Sequence, residues 1–401
     1  MQAACYEYFL QGGDATLLIA RNDKETQKLN DAAAYAGKKP FVLPDFRAHV
    51  GEDLRAYSAE LYSLLGALNR FANEASPKKV LIAPLRTVLH PLPSPAILTR
   101  RTLSFGERIH LSSFKEELLH WGYAFVDVVE AKGEVSVRGD IIDIFSIDAD
   151  NPVRLSLFDD EIESIRHFAC ESQKSYPEEL EFTTFIPALF GLGAQEYAQL
   201  TQKIAVRQSD AFVKDLLSLG FWDLGELSID YLSHFTARYA QKMEGEIEEV
   251  ALFDDTVDKA KLLAIPTIPE PKIYQDVEAS SVKTFIEFHQ SKRITLLARN
   301  EALLKQAGFE EFTGFTYQQS PLIVNIMSAD KLVLSLNKPV RKKRPKRASL
   351  VLDELKIGDY VVHETYGVGI FKGLTNTTVL GATRDFVTVL YQGEDLSLIH
   401  I

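Results

Sequence analysis

Cysteine is nearly absent: Cys5 and Cys170 are the only two in 401 residues, too far apart for a metal knuckle and too few for a disulfide framework. Long apolar runs are missing as well. "ATLLIA" and "KLVLSL" fall far short of the roughly 18 to 20 residues that cross a bilayer. The N-terminus, "MQAACYEYFLQGGD", has neither the basic start nor the long apolar stretch of a secretory signal. The cysteines therefore read as free thiols, and a cytoplasmic location is expected. Catalytic signatures are lacking: there is no His-Glu-x-x-His, Gly-x-Ser-x-Gly, Cys-x-x-Cys or magnesium-binding Asp-Glu box, and the nine histidines are scattered. This stretch is expected to catalyse nothing. Positive charge is in deficit overall, with a net charge of −12, so the bulk surface should not attract DNA.

What is present is ordinary globular composition, 46% hydrophobic and 25% charged, at a length that implies two to four domains. Between residues 15 and 95, short apolar runs ("ATLLIA", "KPFVLP", "KKVLIAPLRTVL") alternate with amphipathic stretches that start near Asn or Asp. That pattern predicts a βαβαβ unit on a parallel sheet, with ligands beyond the carboxyl ends of the strands. The first turn, read at "LQGGDATLLIA", holds Gly12 and Gly13 but no Gly-Lys-Thr. Asp14 puts negative charge where a nucleotide phosphate would lie, so a nucleotide site is not expected.

Residues 101 to 186 become strand-rich after a helix-like "SSFKEELLHWG", with turns at Gly133, Gly139, Asn151-Pro152 and Asp159-Asp160; a small antiparallel sheet is predicted. In "VSVRGD" the valines share one face, which leaves Arg138 on the other. In "VRLSLF" the aliphatics again share a face, and Arg154 and Phe158 point the opposite way. Exposed arginine beside an aromatic is the composition of interface hot spots. The alternative is a surface arginine and a phenylalanine covered by a neighbouring domain. The Arg-Gly-Asp triplet is not read as an adhesion motif, because the chain shows no extracellular address.

Residues 187 to 275 look mixed and mostly helical, and "IPTIPEPKIY" marks a boundary by its prolines. Residues 276 to 337 form a short α/β unit whose composition names no chemistry. "KPVRKKRPKR" then gathers Lys338, Arg341, Lys342, Lys343, Arg344, Lys346 and Arg347 with no acid. It reads as an exposed linker over 338–350, either a solvated spacer or a weak phosphate-backbone contact. Beyond it, glycines separate short β-branched and aromatic strands, the profile of a small twisted barrel of roughly five strands.

Two blocks carry a resemblance. "GEVSVRGDIIDIFSIDADNPVRLSLFDDEIESIRHFACESQKS" resembles the domain shared by the excision-repair protein UvrB and the transcription-repair coupling factors (the Mfd family). "LKIGDYVVHETYGVGIFKGL" resembles the RNA polymerase-interacting domain of that family and of CarD-type regulators. Both in this order point to the coupling factors, and the remaining segments match mainly in layout. The resemblance implies a multidomain α/β and α+β chain. Its parts would be a degenerate P-loop-type α/β domain (1–100 with 187–275), an inserted UvrA-binding β-rich domain (101–186), a small α/β domain (276–337) and an incomplete SH3/Tudor-like barrel (351–395). It implies UvrA binding by Arg138, Arg154 and Phe158, and docking on the RNA polymerase β subunit by Thr377, Val379 and Leu380.

The family's ATP, magnesium and double-stranded DNA translocation belong to helicase-type motor domains beyond this chain, and no cofactor is expected in the chain itself. A monomer is expected. The terminal "LSLIHI" (396–401) departs from the family's continuation and reads as a sequencing-adapter remnant. On that reading the natural sequence ends near Asp395 and the barrel is cut short. The alternative function is a non-enzymatic, CarD-like polymerase-binding regulator.

Overall fold

The computed structural model describes residues 1–48, 50–52, 54–207, 220–253, 258–278, 281–309, 314–339, 357–363, 367–379, 382–390 and 396–400. The side chains of 55–56, 205–207, 249–253, 362–363, 367, 374–379, 382–387 and 396–400 are outside that description. The chain forms two compact units, Met1–Pro339 and Val340–Ile401.

The first sheet is wholly parallel. Its central strand, Leu17–Ala20, is flanked by Lys79–Pro84 on one side and Ala237–Tyr239 on the other, with Lys39–Val42 outside Lys79–Pro84. Every residue of Leu17–Ala20 is buried, as an apolar strand covered on both faces must be. The helix Ser58–Ala72 lays Leu61, Leu64, Leu65, Leu68 and Phe71 into the core of one face. Within the mostly helical stretch expected over 187 to 275, "DYLSHFTARYAQKMEG" instead forms the single helical turn Tyr231–His234 and the outer strand Ala237–Tyr239. The β-branched and aromatic residues of "TARY" fit a sheet edge better than a helix interior.

The glycine pair lies elsewhere than the sequence pattern suggests. Gly12 and Gly13 link the helix Gln2–Leu10 to the amino end of Leu17–Ala20, opposite the end where ligands bind in such sheets. Asp14 there accepts from the Tyr8 hydroxyl at 2.7 Å and from Arg238 at 3.2 Å. The carboxyl end leads through only Arg21 and Asn22 into the helix Asp23–Tyr35, too short a turn to cradle phosphates. Asn22 caps that helix by accepting from Glu25 N at 3.1 Å, and Glu25 reaches back to Arg21 N at 3.0 Å. Arg21 is also paired with Glu246. The chain's own carboxylates occupy the helix N-terminus, and the residues present do not fit a nucleotide phosphate.

The inserted region is closed by Arg101–Ser104 pairing antiparallel with Phe182–Phe185. Inside it, six strands run in the spatial order Ser175–Glu179, Glu161–Phe168, Val153–Phe158, Ile141–Ile144, Glu134–Arg138, Ala124–Phe125. All neighbours are antiparallel except the last pair, a departure from the purely antiparallel expectation. Its apolar face (Val135, Ile142, Ile144, Leu155, Ile162, Ile165) belongs to the same contiguous core as Leu17 and Leu64. The insert is therefore packed onto the α/β layer by shared hydrophobic burial.

A further, five-stranded sheet, from Gln275 to Ser335, orders its strands Gln275–Asp276, Ile326–Met327, Lys331–Ser335, Arg293–Ala298, Phe315–Gln319. The N-terminal helix joins it to the first sheet. Ala4, Cys5 and Phe9 pack with Leu18 and Leu29, while Ala3 and Tyr6 pack with Leu297, Val324 and Val333. Glu7, 4% exposed, accepts from the backbone N–H groups of Lys272, Ile273 and Tyr274 at 2.9, 2.9 and 3.0 Å. Burial pushes its carboxyl up, but those three donors outweigh it and hold the group below its ordinary value.

The second unit contains four described antiparallel strands in sequence order: Tyr360–His363, Gly367–Val379, Ala382–Leu390 and Leu396–His400. Gly373, at φ +117°, takes up a bulge beside Phe371 that bends the long strand. Thr377 and Val379 lie on that strand, opposite Arg384 and Ala382. Leu380 and the basic residues Arg341, Lys342, Lys343, Arg344, Lys346 and Arg347 lie outside the described residues.

Candidate protein-docking face

On the sheet of the insert, the side chains opposite the apolar face form a polar row. Register places Ser136 beside Asp143, Asp143 beside Arg154, and Arg154 beside Arg166. Asp143 has no exposed side-chain surface, so its charge requires matched partners. Arg154 supplies a forked pair, Nε donating to Oδ1 at 2.7 Å and Nη2 to Oδ2 at 2.8 Å. Arg138 supplies a third bond, Nη2 to Oδ2 at 2.6 Å. Arg154 Nη1 donates to the Gln173 carbonyl at 3.0 Å, and the guanidinium lies 4.6 Å from the Phe168 ring centroid. The hydrogen bond to Asp143 raises the Arg154 guanidinium above its ordinary value.

The three residues singled out by alternation thus do not share one exposure. Phe158 is 70% exposed at the end of its strand, before the Asp159-Asp160 turn. The Arg138 side chain is 45% exposed. The Arg154 side chain is only 17% exposed, which corrects the expectation that it faces solvent freely. The physical reason is Asp143 on the adjacent strand: an aspartate inside "IIDIF" cannot be buried without a cation above it.

Alternation alone missed Asp143. Its signal was a lone acid in an apolar strand, three residues past Asp140 of the Gly139-Asp140 turn that pairs Arg138 with Ile141. That same turn, with Gly139 at φ +58°, accounts for the Arg-Gly-Asp spelling.

Among the described residues no group of three or more His, Cys, Asp or Glu side chains converges as a metal site, and no helix is long and apolar enough to cross a membrane. The face offers charge, one aromatic and hydrogen-bond donors.

Residues 102–189 match the UvrB interaction domain family, and residues 355–399 match the CarD-like/TRCF RID domain family. The chain is 34% identical over 408 aligned residues to the transcription-repair-coupling factor of Helicobacter pylori, covering 100% of this chain and 41% of that protein. It is 24% identical to the Bacillus subtilis transcription-repair-coupling factor over 94% of this chain and 41% of that protein. The Mycobacterium tuberculosis factor matches at 34% over 34% of the chain. The chain therefore spans less than half the length of the relatives it resembles most fully.

Proposed function

Because this chain carries a UvrB interaction domain and a CarD-like/TRCF RID domain, and is similar along its whole length to the N-terminal 41% of a transcription-repair-coupling factor, we propose that it is the recruiting part of such a factor. The RID-type unit docks on the β subunit of RNA polymerase stalled at DNA damage. The insert binds UvrA and so brings excision repair to the site. ATP-dependent translocation on double-stranded DNA is the work of motor domains outside this chain, and no step of it is assigned to the residues described above.

The observation that carries this reading is the exposed edge of the polar sheet face of the UvrB interaction domain. There an exposed Phe158 and a half-exposed Arg138 stand beside a buried charge clamp. Arginine and aromatic side chains at such a spot carry most of the energy of protein interfaces.

The test is co-purification of the chain with UvrA and, separately, with RNA polymerase β subunit, in the absence of ATP and DNA. Both partners should be retained. Retention of polymerase without UvrA would instead favour the CarD-like regulator, and retention of neither would remove the proposal.

A further inference from the structure

Parallel strands covered on both faces read as near-continuous apolar runs. In the five-stranded sheet that run is interrupted on one face. Register sets Arg293 beside Lys331, and Thr295 beside both Val333 and Thr316, so these side chains lie on the same side of the sheet. Further along that side, Leu297 and Val333 pack with Ala3 and Tyr6 of the N-terminal helix. The helix covers only this part. At the amino ends of the strands a recess of about 670 Å³ is open to solvent, and Tyr274, Lys292, Arg293, Thr295, Thr316 and Lys331 line it.

Cations outnumber acids there. Lys292 Nζ donates to the Ser328 and Ala329 carbonyls at 2.7 Å each, which fixes the ammonium and leaves one of its three donors over. Lys331 Nζ lies 3.4 Å from the Tyr6 hydroxyl and 5.4 Å from the Tyr35 ring centroid. Neither lysine is paired with a carboxylate among the described residues. Arg293 is paired through Nη2 with Asp330, but the two side chains are 80% and 66% exposed, so water screens the pair and the other guanidinium donors stay available. Three cations thus face one carboxylate, on a chain whose net charge is −12. The Thr295 and Thr316 hydroxyls sit side by side between them, free to donate to an oxyanion.

We propose that this recess binds the phosphodiester backbone of a single-stranded nucleic acid. Lys331, Lys292 and Arg293 match the phosphate charge, and the two threonine hydroxyls donate to phosphate oxygens. Tyr274, held edge-to-face against Tyr6 at 5.0 Å, adds an aromatic ring on which a base can stack. Lysine is a point charge without the fork that selects a carboxylate, which favours phosphate over an acidic peptide. A small-molecule site would enclose most of its ligand, and this recess is open. A duplex is too stiff to bend into it, whereas a single strand is not. The assignment is independent of the docking reading above.

The test is fluorescence anisotropy of a labelled thymidine homopolymer titrated with the chain. Wild type should bind at low salt, with an affinity that falls as salt rises. Lys331→Gln should weaken binding several-fold, alike for homopolymer and mixed-sequence strands, and should lower the slope of log affinity against log salt by about 1. Thr316→Glu puts a carboxylate into the recess at an exposed position, so it should remove most of the binding and leave the unfolding curve unchanged. Both effects should persist when Arg341, Lys342, Lys343, Arg344, Lys346 and Arg347 are changed to serine, and a glutamate homopolymer should not displace the strand. The proposal is overturned if wild type does not bind at low salt, or if Lys331→Gln and Thr316→Glu bind as wild type does while the serine variant loses binding. Displacement by the glutamate homopolymer at equal charge would overturn it as well.

Discussion

Arg154 grips Asp143 with two hydrogen bonds of 2.7 and 2.8 Å at a point where the aspartate has no exposed surface. The side chain that strand alternation turns away from the apolar core is therefore part of a second, polar interior. Arg154→Ala should consequently destabilise the protein by about 3 kcal/mol, the order of cost of stripping a buried carboxylate of its main partner. Arg138→Ala, with a half-exposed side chain and Arg154 still in place, should cost below about 1 kcal/mol. Urea unfolding of both variants checks the contrast. Equal costs would mean that the clamp is not organised around Arg154.

The parallel sheet was legible from apolar runs alternating with amphipathic stretches. The strands of 101–186, and the side on which Phe158 lies, were legible from period-2 runs and their turns. That this sheet is an insert came from the family resemblance alone. Asp143 was not, because its burial depends on which residue lies opposite on the next strand, and alternation within one strand carries no such information. The glycine pair was misplaced for a related reason: Gly-Gly beside an apolar strand looks the same at either end of it. The N-terminal helix escaped notice because Ala3 and Tyr6 bury one side and Cys5 and Phe9 another, which leaves no amphipathic stripe to read.

The Glu7 clamp should show in acid. Its folded-state carboxyl is held below the ordinary value, so its stabilisation is complete above the ordinary carboxylate range and is lost as pH falls through the lowered folded-state value. At neutral pH Glu7→Gln should cost about 2 kcal/mol, since an amide cannot accept from three backbone donors as a carboxylate does. The gap between wild type and variant should close as pH falls through that lowered folded-state value. A gap that stays constant through acid unfolding would show that the charge on Glu7 is irrelevant.

The two thiols should differ in access. Burial pushes the Cys5 thiol up to about 12, and its Sγ lies 3.8 Å from the Leu29 carbonyl oxygen. Cys170 is partly exposed, its thiol raised first by burial and then by the charge of Glu134. At pH 8 a disulfide reagent should label Cys170 slowly, and Cys5 only after denaturation. Mass spectrometry of labelled peptides decides it, and early labelling of Cys5 would place the N-terminal helix on the outside.

ATP with magnesium should give no binding heat in calorimetry. Glu25 and Glu246 surround the turn where phosphate would lie, and the Arg21-Asn22 connection has neither the lysine nor the hydroxyl that phosphate and magnesium need. Micromolar, magnesium-dependent binding would contradict this.

The most direct measurement is a calorimetric titration of UvrA against wild type and Phe158→Ala, with unfolding curves of both. Phe158 is exposed, so its loss should leave the unfolding midpoint unchanged while weakening UvrA binding by about 2 kcal/mol, a large share of an interface anchored by one aromatic and one arginine. Equal affinity of the two proteins for UvrA would show that this sheet face is not where the partner docks.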